Sequence, residues 1–255
     1  MITFQKKPTI QYLNVASDLP STQSLIREIT KYRVNSKFMV LTSSIERADE
    51  LCKLLDNTNC WIIHSESATF VVPCLLETIA ELNEKGNGMI ITTAEDFSEL
   101  PVFEDQESWI LITDQALEKV DNFDRSSFCN QAVLTDYLEV NQQANWNQYQ
   151  LKLKDSIISN DENFDLLIQQ FQNYNLFTDK VNWDNIAGKY SWDWDDSVQV
   201  VSILKLEFLA GFHQVIVLEE DFTESMFYNY YSKYHDVQFE RYEGIRDAYW
   251  ISQLN

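Results

Sequence analysis

Glu219, Glu220 and Asp221 follow directly on the apolar run VIVL at 215–218, so three carboxylates meet at the end of a strand-like segment. Clustered oxygen ligands of this kind suit a hard cation such as Mg²⁺ and would make the chain a divergent metal-dependent enzyme. The same residues can instead open the helix that follows, with Asp221 or Thr223 as N-cap and the acids favoured by the helix dipole. The helix start is the preferred reading. His64 ends a second apolar run and is followed by Ser65, Glu66 and Ser67, a setting in which an imidazole can serve as general base. No G-x-S-x-G elbow or other nucleophile signature accompanies it, so a structural histidine is preferred, as for His213 and His235. Cys52, Cys60, Cys74 and Cys129 include no CxxC pair. Reduced, mostly buried thiols are expected, and a zinc site would have to gather ligands without any local spacing.

Residues 182–197 (NWDNIAGKYSWDWDDS) combine a different set of side chains. Trp183, Trp192 and Trp194 stand among Asp184, Asp193, Asp195 and Asp196, with Tyr190 between them. Buried tryptophans anchor interfaces, and aspartates around them suit a partner bearing Arg and Lys. The alternative is a loop whose tryptophans plug the core while the aspartates start a helix at 198–211. As a partner-binding segment, the expected contacts are Trp183, Tyr190, Trp192, Asp193, Trp194, Asp195 and Asp196.

The elements that must position these residues read as an α/β protein. Strands are expected at 9–15, 38–43, 60–65, 88–94, 108–113 and 131–137, with helices at 20–33, 45–55 and 73–85 between the earlier ones. Pro73 near a helix start and Gly86 just past its end punctuate the third helix. Strands alternating with helices of that length predict a mainly parallel sheet flanked by helices. From about 141 the texture becomes amide-rich, and 141–158, 162–177 and 198–211 read as helices, the last ending at Gly211. A strand–helix–strand signature returns over 214–240. The expected domains are 1–140, and 141–255 as a smaller α/β or α-rich subdomain or a continuation of the same sheet.

Several of these segments resemble the second, C-terminal RecA-like domain of superfamily 2 helicases. KFMVLTSSIERADELCKLL (37–55) looks like the strand, Ser/Thr turn and helix that open that domain. CWIIHSES (60–67) sits where the family places a strand ending in His and a small residue. LLETIAELNEKGNGMIITTAEDFSELPVF (75–103) and SWILITD (108–114) resemble the helix and strands that follow, so the likeness covers about 9–137. It implies a RecA-like, Rossmann-like fold. Members that hydrolyse ATP present two arginines from a Q-x-x-G-R-x-G-R segment, where this chain offers only Arg125 and neither glycine. No G-x-x-x-x-G-K-[ST] is framed by Gly86, Gly88, Gly188, Gly211 or Gly244, and no first RecA-like domain is expected ahead of residue 1. The resemblance therefore implies a degenerate relative without nucleotide hydrolysis or cofactor, since nothing would hold the phosphates.

Charge narrows the partner. The chain carries 40 Asp and Glu against 19 Lys and Arg, a net −21. Residues 1–50 hold seven basic and five acidic groups (+2), leaving 12 basic and 35 acidic groups (−23) for the rest. Such a body repels phosphate backbones and anionic membranes and attracts basic protein surfaces. The only basic concentration is Lys6, Lys7, Arg27, Lys31, Arg33 and Lys37, so direct nucleic-acid binding is not expected. No leader with an apolar core is expected, the longest apolar runs fall far short of a membrane span, and the expected location is cytoplasmic. The reading is a non-catalytic adaptor or inhibitor that binds a basic protein surface, such as a nucleic-acid-binding protein. The alternatives are an acidic mimic of nucleic acid from a mobile element, blocking a host nuclease or nucleic-acid-binding protein, and the metal-dependent enzyme above.

Overall fold

The computed structural model describes residues 9–16, 18–31, 33, 35–55, 59–123, 138–142, 148–154, 168, 170–186, 198–235 and 237–243. In chain order the elements are β1 (Thr9–Asn14), α1 (Leu19–Lys31), β2 (Lys37–Thr42), α2 (Ile45–Leu55), β3 (Cys60–Ile62), α3 (Val71–Lys85), β4 (Gly88–Thr93), α4 (Ala94–Ser98) and β5 (Trp109–Asp114). There follow β6 (Glu118–Phe123), β7 (Leu138–Gln142), β8 (Gln148–Leu153), β9 (Tyr174–Asp179), α5 (Lys180–Ile186), β10 (Val198–Leu204), β11 (Gln214–Glu219), α6 (Met226–Tyr234) and β12 (Gln238–Arg241). They form two compact units, Met1–Leu117 with Leu206–Asn255, and Glu118–Lys205. The sequence reading divides the chain at 140. The second unit instead begins at Glu118, and the chain returns to the first at Leu206.

In the first unit seven parallel strands form one sheet in the order β12-β1-β11-β5-β2-β4-β3, flanked by helices, as the α/β reading expects. Val40 on β2 lies level with Ile91 and Ile112 on its two neighbours. Alternation sorts the side chains by face. Phe38, Val40, Met89, Ile91, Ile110, Ile112, Ile216 and Leu218 pack with Ile26 and Ile29 of α1 and Ala48 and Leu51 of α2. The residues between them face the other side, where the Trp109 indole donates to Asn83 of α3 and Tyr12 meets Phe222 ahead of α6.

The helix ends follow from local chemistry. Asp18 caps α1 by accepting from the Ser21 N–H at 2.9 Å and from its hydroxyl at 2.8 Å. Gln23 and Arg27 of α1 both donate to the Leu54 carbonyl at the end of α2. Gly86 takes the left-handed conformation (φ 77°) that closes α3, its N–H bonding the Leu82 carbonyl at 2.9 Å. The Ser21 bonds hold the Asp18 carboxyl below its ordinary range. A depressed folded pKa gives stability that is present above the unfolded value and lost as pH falls through the folded one. Asp18→Ala should therefore cost about 1 kcal/mol near neutrality, and urea titrations should show the gap to the parent closing in acid.

In the second unit five antiparallel strands run in the order β6-β10-β9-β8-β7, with α5 capped by Asp179 through the Asn182 N–H at 2.8 Å. Two expectations are corrected here. Residues 141–158 read as a helix, yet 148–153 form β8, in which Tyr149, Leu151 and Leu153 alternate with polar neighbours at the strand period. Residues 198–211 also read as a helix, yet they give β10 and a 3-10 turn at Leu206–Phe208. Val200, Ser202, Ile203 and Leu204 are all buried, so β10 is covered on both faces and its apolar run carries no alternation to distinguish it from a helix. In 162–177 the end of the segment is strand, β9 starting at Tyr174. The strand expected at 131–137, together with Arg125 and Cys129, lies outside the described residues.

Candidate functional site

In open parallel sheets ligands bind outside the carboxyl ends of the strands, where neighbouring strands send their chains to opposite faces. Here β2 leads to α2 on one face, while its neighbour β4 leads to α4, which borders α3 on the other. Thr42, Thr93 and Asp114 end β2, β4 and β5, and His64 lies just beyond β3. Polar side chains therefore gather at this edge because each stands where an apolar run stops.

Three interlocked groups occupy it. In the first, Arg47 of α2 grips Asp114 with two bonds, Nε to Oδ2 at 2.5 Å and Nη2 to Oδ1 at 2.8 Å. The Thr22 hydroxyl of α1 donates to Asp114 Oδ1 at 3.2 Å and accepts from Arg47 Nη2 at 3.2 Å. Asp114 is 1% exposed and the Arg47 side chain 14%. The Arg47 N–H also donates to Ser44 Oγ, fixing the start of α2, where hydrogen bonds from its own N–H and the Ser44 hydroxyl hold Glu46 below the ordinary carboxylate range.

In the second, His64 Nε2 lies 3.2 Å from Asp49 Oδ1, and Nδ1 accepts the Ser67 N–H at 3.2 Å. With Nδ1 accepting, the proton sits on Nε2 and points to Asp49. The Ser67 hydroxyl bonds the main chain of His64, accepting from its N–H at 2.8 Å and donating to its carbonyl at 2.9 Å. In the third, Asp96 Oδ2 accepts from the Thr93 hydroxyl at 2.7 Å and the Ser65 N–H at 3.2 Å, while Thr93 caps α4 through the Asp96 N–H. The arrangement holds α1, α2, α4 and the β3–α3 turn in register. Both imidazole nitrogens are engaged, so His64 does not face the Ser67 hydroxyl as a base faces a nucleophile.

Other candidates fall elsewhere. Glu220 and Asp221 are exposed beyond β11. Asp221 takes a left-handed φ of 51° and makes no side-chain cap, and Ser225 caps α6 through the Tyr228 N–H at 3.1 Å, which corrects the expectation of Asp221 or Thr223. His235 closes α6 against Tyr230 and Tyr231, and burial pushes it below the ordinary histidine range against the pull of Glu207. His213 is exposed, its N–H bonding the Trp109 carbonyl. Among the described residues, no group of three or more His, Cys, Asp or Glu is placed to hold a metal ion. Trp183 is half-buried on α5 and Asp184 buried beside it; Tyr190, Trp192, Asp193, Trp194, Asp195 and Asp196 lie outside the described residues.

Sequence reasoning singled out His64 but missed Arg47, Asp114, Thr22, Asp49 and Asp96. For Asp114 the available signal is positional, a polar residue where a buried strand ends; Thr22, Arg47, Asp49 and Asp96 lie on helices and carry no such signal. Sequence reasoning also missed an acidic face. Glu77, Glu81 and Glu84 share one exposed side of α3. Glu95 and Glu99 are exposed on the bordering α4 segment, and Asn83 ties α3 to the turn carrying exposed Glu104, Asp105 and Glu107. Lys85 pairs with Glu81 at 2.5 Å. Among the described residues no helix is long and apolar enough to cross a membrane. Compared with known proteins, the chain matches no family model, no curated protein and no solved structure.

Proposed function

We propose that this chain is a non-catalytic adaptor or inhibitor, a degenerate helicase-like RecA domain with an inserted antiparallel unit, which binds a basic protein surface through its carboxylates. The observation that carries the reading is the acidic face of α3, α4 and the 104–107 turn. With 40 acidic and 19 basic residues, at least 21 carboxylates have no Lys or Arg of their own even if every cation is paired. Charge of one sign on a structured surface steers a partner of the opposite sign and sets its association rate. At the carboxyl edge, where a Rossmann-like enzyme would hold substrate, Arg47 is bonded to Asp114, His64 to Asp49, and Asp96 to Thr93 and the Ser65 N–H. That supports a scaffold reading over the metal-dependent enzyme.

The segment at 182–197, in the second unit, is proposed as a separate partner contact. Exposed charge attraction is screened over about 8 Å at physiological ionic strength, while a buried tryptophan anchor is not Coulombic. With the partner captured at low salt, affinity should fall about tenfold or more as salt rises from dilute to physiological. Glu77→Gln/Glu81→Gln/Glu84→Gln and Asp193→Asn/Asp195→Asn/Asp196→Asn should slow association. Trp192→Ala or Trp194→Ala should speed dissociation. Surface plasmon resonance on variants that melt like the parent reads each rate, and parental rates for all of them overturn the proposal. Loss of the partner to added DNA or RNA would narrow the reading to the nucleic-acid mimic.

A further inference from the structure

Cys52 lies on the outer part of α2 and Cys60 opens the edge strand β3, and their sulfurs are 3.9 Å apart with the Cys52 thiol donating to Cys60. Both are free and partly exposed, at the rim of the core cluster. Eight positions separate them in sequence, so no CxxC spacing announces the pair. A sulfur–sulfur bond of about 2.05 Å asks the two atoms to close by roughly 2 Å, within reach of a side-chain rotation at each cysteine. Their elements are already joined once, by Asp49 of α2 and His64 beyond β3.

We propose that Cys52 and Cys60 are an oxidisable dithiol, closed by a low-molecular-weight disulfide into a reversible bond that staples α2 to β3. The Cys52 thiolate attacks one sulfur of the oxidant and displaces a thiolate, giving a mixed disulfide. The Cys60 thiolate then attacks the Cys52 sulfur and displaces the second thiolate. The two protein thiols lose two electrons and two protons, and the oxidant is reduced to two thiols that take up those protons. Burial pushes the Cys60 thiol up, with the Cys52 sulfur adding to the effect, which disfavours its thiolate and gives the first attack to Cys52. The bond lies beside the Asp49–His64 contact, so oxidation adds a second strut along the same flank of the carboxyl edge.

The test uses the unaltered protein equilibrated with glutathione at graded ratios of oxidised to reduced form. Free thiols are then blocked with N-ethylmaleimide and the peptides mapped by mass spectrometry. A cross-linked pair holding Cys52 and Cys60, restored to two alkylated cysteines by dithiothreitol, is the expected result. The melting temperature should rise by roughly 5 °C on oxidation, and Cys52→Ser should abolish that rise while Cys74→Ser leaves it. Full alkylation of both residues at every ratio overturns the proposal, as does pairing of either one with Cys74, Cys129 or a second molecule. Because the parent protein carries the primary readout, the result does not depend on how any variant folds.

Discussion

Replacing Arg47 with methionine should destabilise the first unit by about 3–5 kcal/mol, the cost of leaving a buried charge without its partner. Asp114 is 1% exposed and stands at the end of β5, beside β2 and β11. Its two oxygens are met by Arg47 and Thr22. Without the guanidinium, a single hydroxyl is left to replace the water that the carboxylate gave up. The pair itself adds far less than its removal costs, because two desolvated ions offset most of their own attraction. Arg47→Met combined with Asp114→Leu should therefore recover most of the loss. Asp114→Asn should cost less than Arg47→Met, since the partly exposed Arg47 keeps a polar partner and some access to water. Urea unfolding of the four proteins checks this. If Arg47→Met unfolds at the parental midpoint, the network is not holding a buried ion.

The Arg47 network also marks where sequence reading stops. The strands β1 to β5 and the helices α1 to α3 are legible because each has its own signal, whereas the short α4 was not expected. FMVLTS is a buried run broken by Ser43 and Ser44, and α3 carries Pro73 in its first turn and ends at a left-handed Gly86. The joining of Thr22, Arg47 and Asp114 is not legible, because they are 25 and 67 residues apart and meet only when β5 settles beside β2. The second unit is less legible for a different reason. The amide-rich composition around β8 suggested helix while its period of two indicated strand, and β10 is buried on both faces. β2 and β5 are also covered on both faces, but they are short runs bounded by turn residues, whereas the apolar run of β10 continues without a turn residue into Leu206–Phe208 and so matches the length of a helix. His64 is legible because it ends an apolar run, and the same rule marks Thr93 and Asp114, but it does not reach Thr22, Arg47, Asp49 or Asp96 on the helices.

Trp109→Ala should cost about 3–5 kcal/mol, the range for emptying a large aromatic site in a core. Trp109 is fully buried at the first position of β5, opposite Lys37 in the register with β2. Phe103 meets its ring edge-on at 5.9 Å, and Phe212 continues the stack from Phe103 to Phe97. The indole N–H donates to Asn83 Oδ1 at 2.9 Å, and the same oxygen accepts from Lys37 Nζ at 2.5 Å, with the ammonium 5.5 Å from the indole centre. Trp109→Ala thus opens a cavity between the sheet and α3 and removes the cation–π face. Trp109→Phe keeps most of the volume and loses the N–H, so it should cost about 1–2 kcal/mol. Lys37 supplies a pH signature for the same place. Burial pushes it below the ordinary lysine range, against the pull of Asp105 and Glu107. The unfolded chain therefore holds this proton more tightly than the folded one. Stability from this group rises with pH between its folded pKa and the unfolded value near about 10.4. In urea titrations across that window Lys37→Met should remove the rise, and Trp109→Ala, by admitting water to the ammonium, should shrink it. A Trp109→Ala protein with the parental midpoint and the parental alkaline slope would mean that the α3 face of the sheet is not packed around this ring.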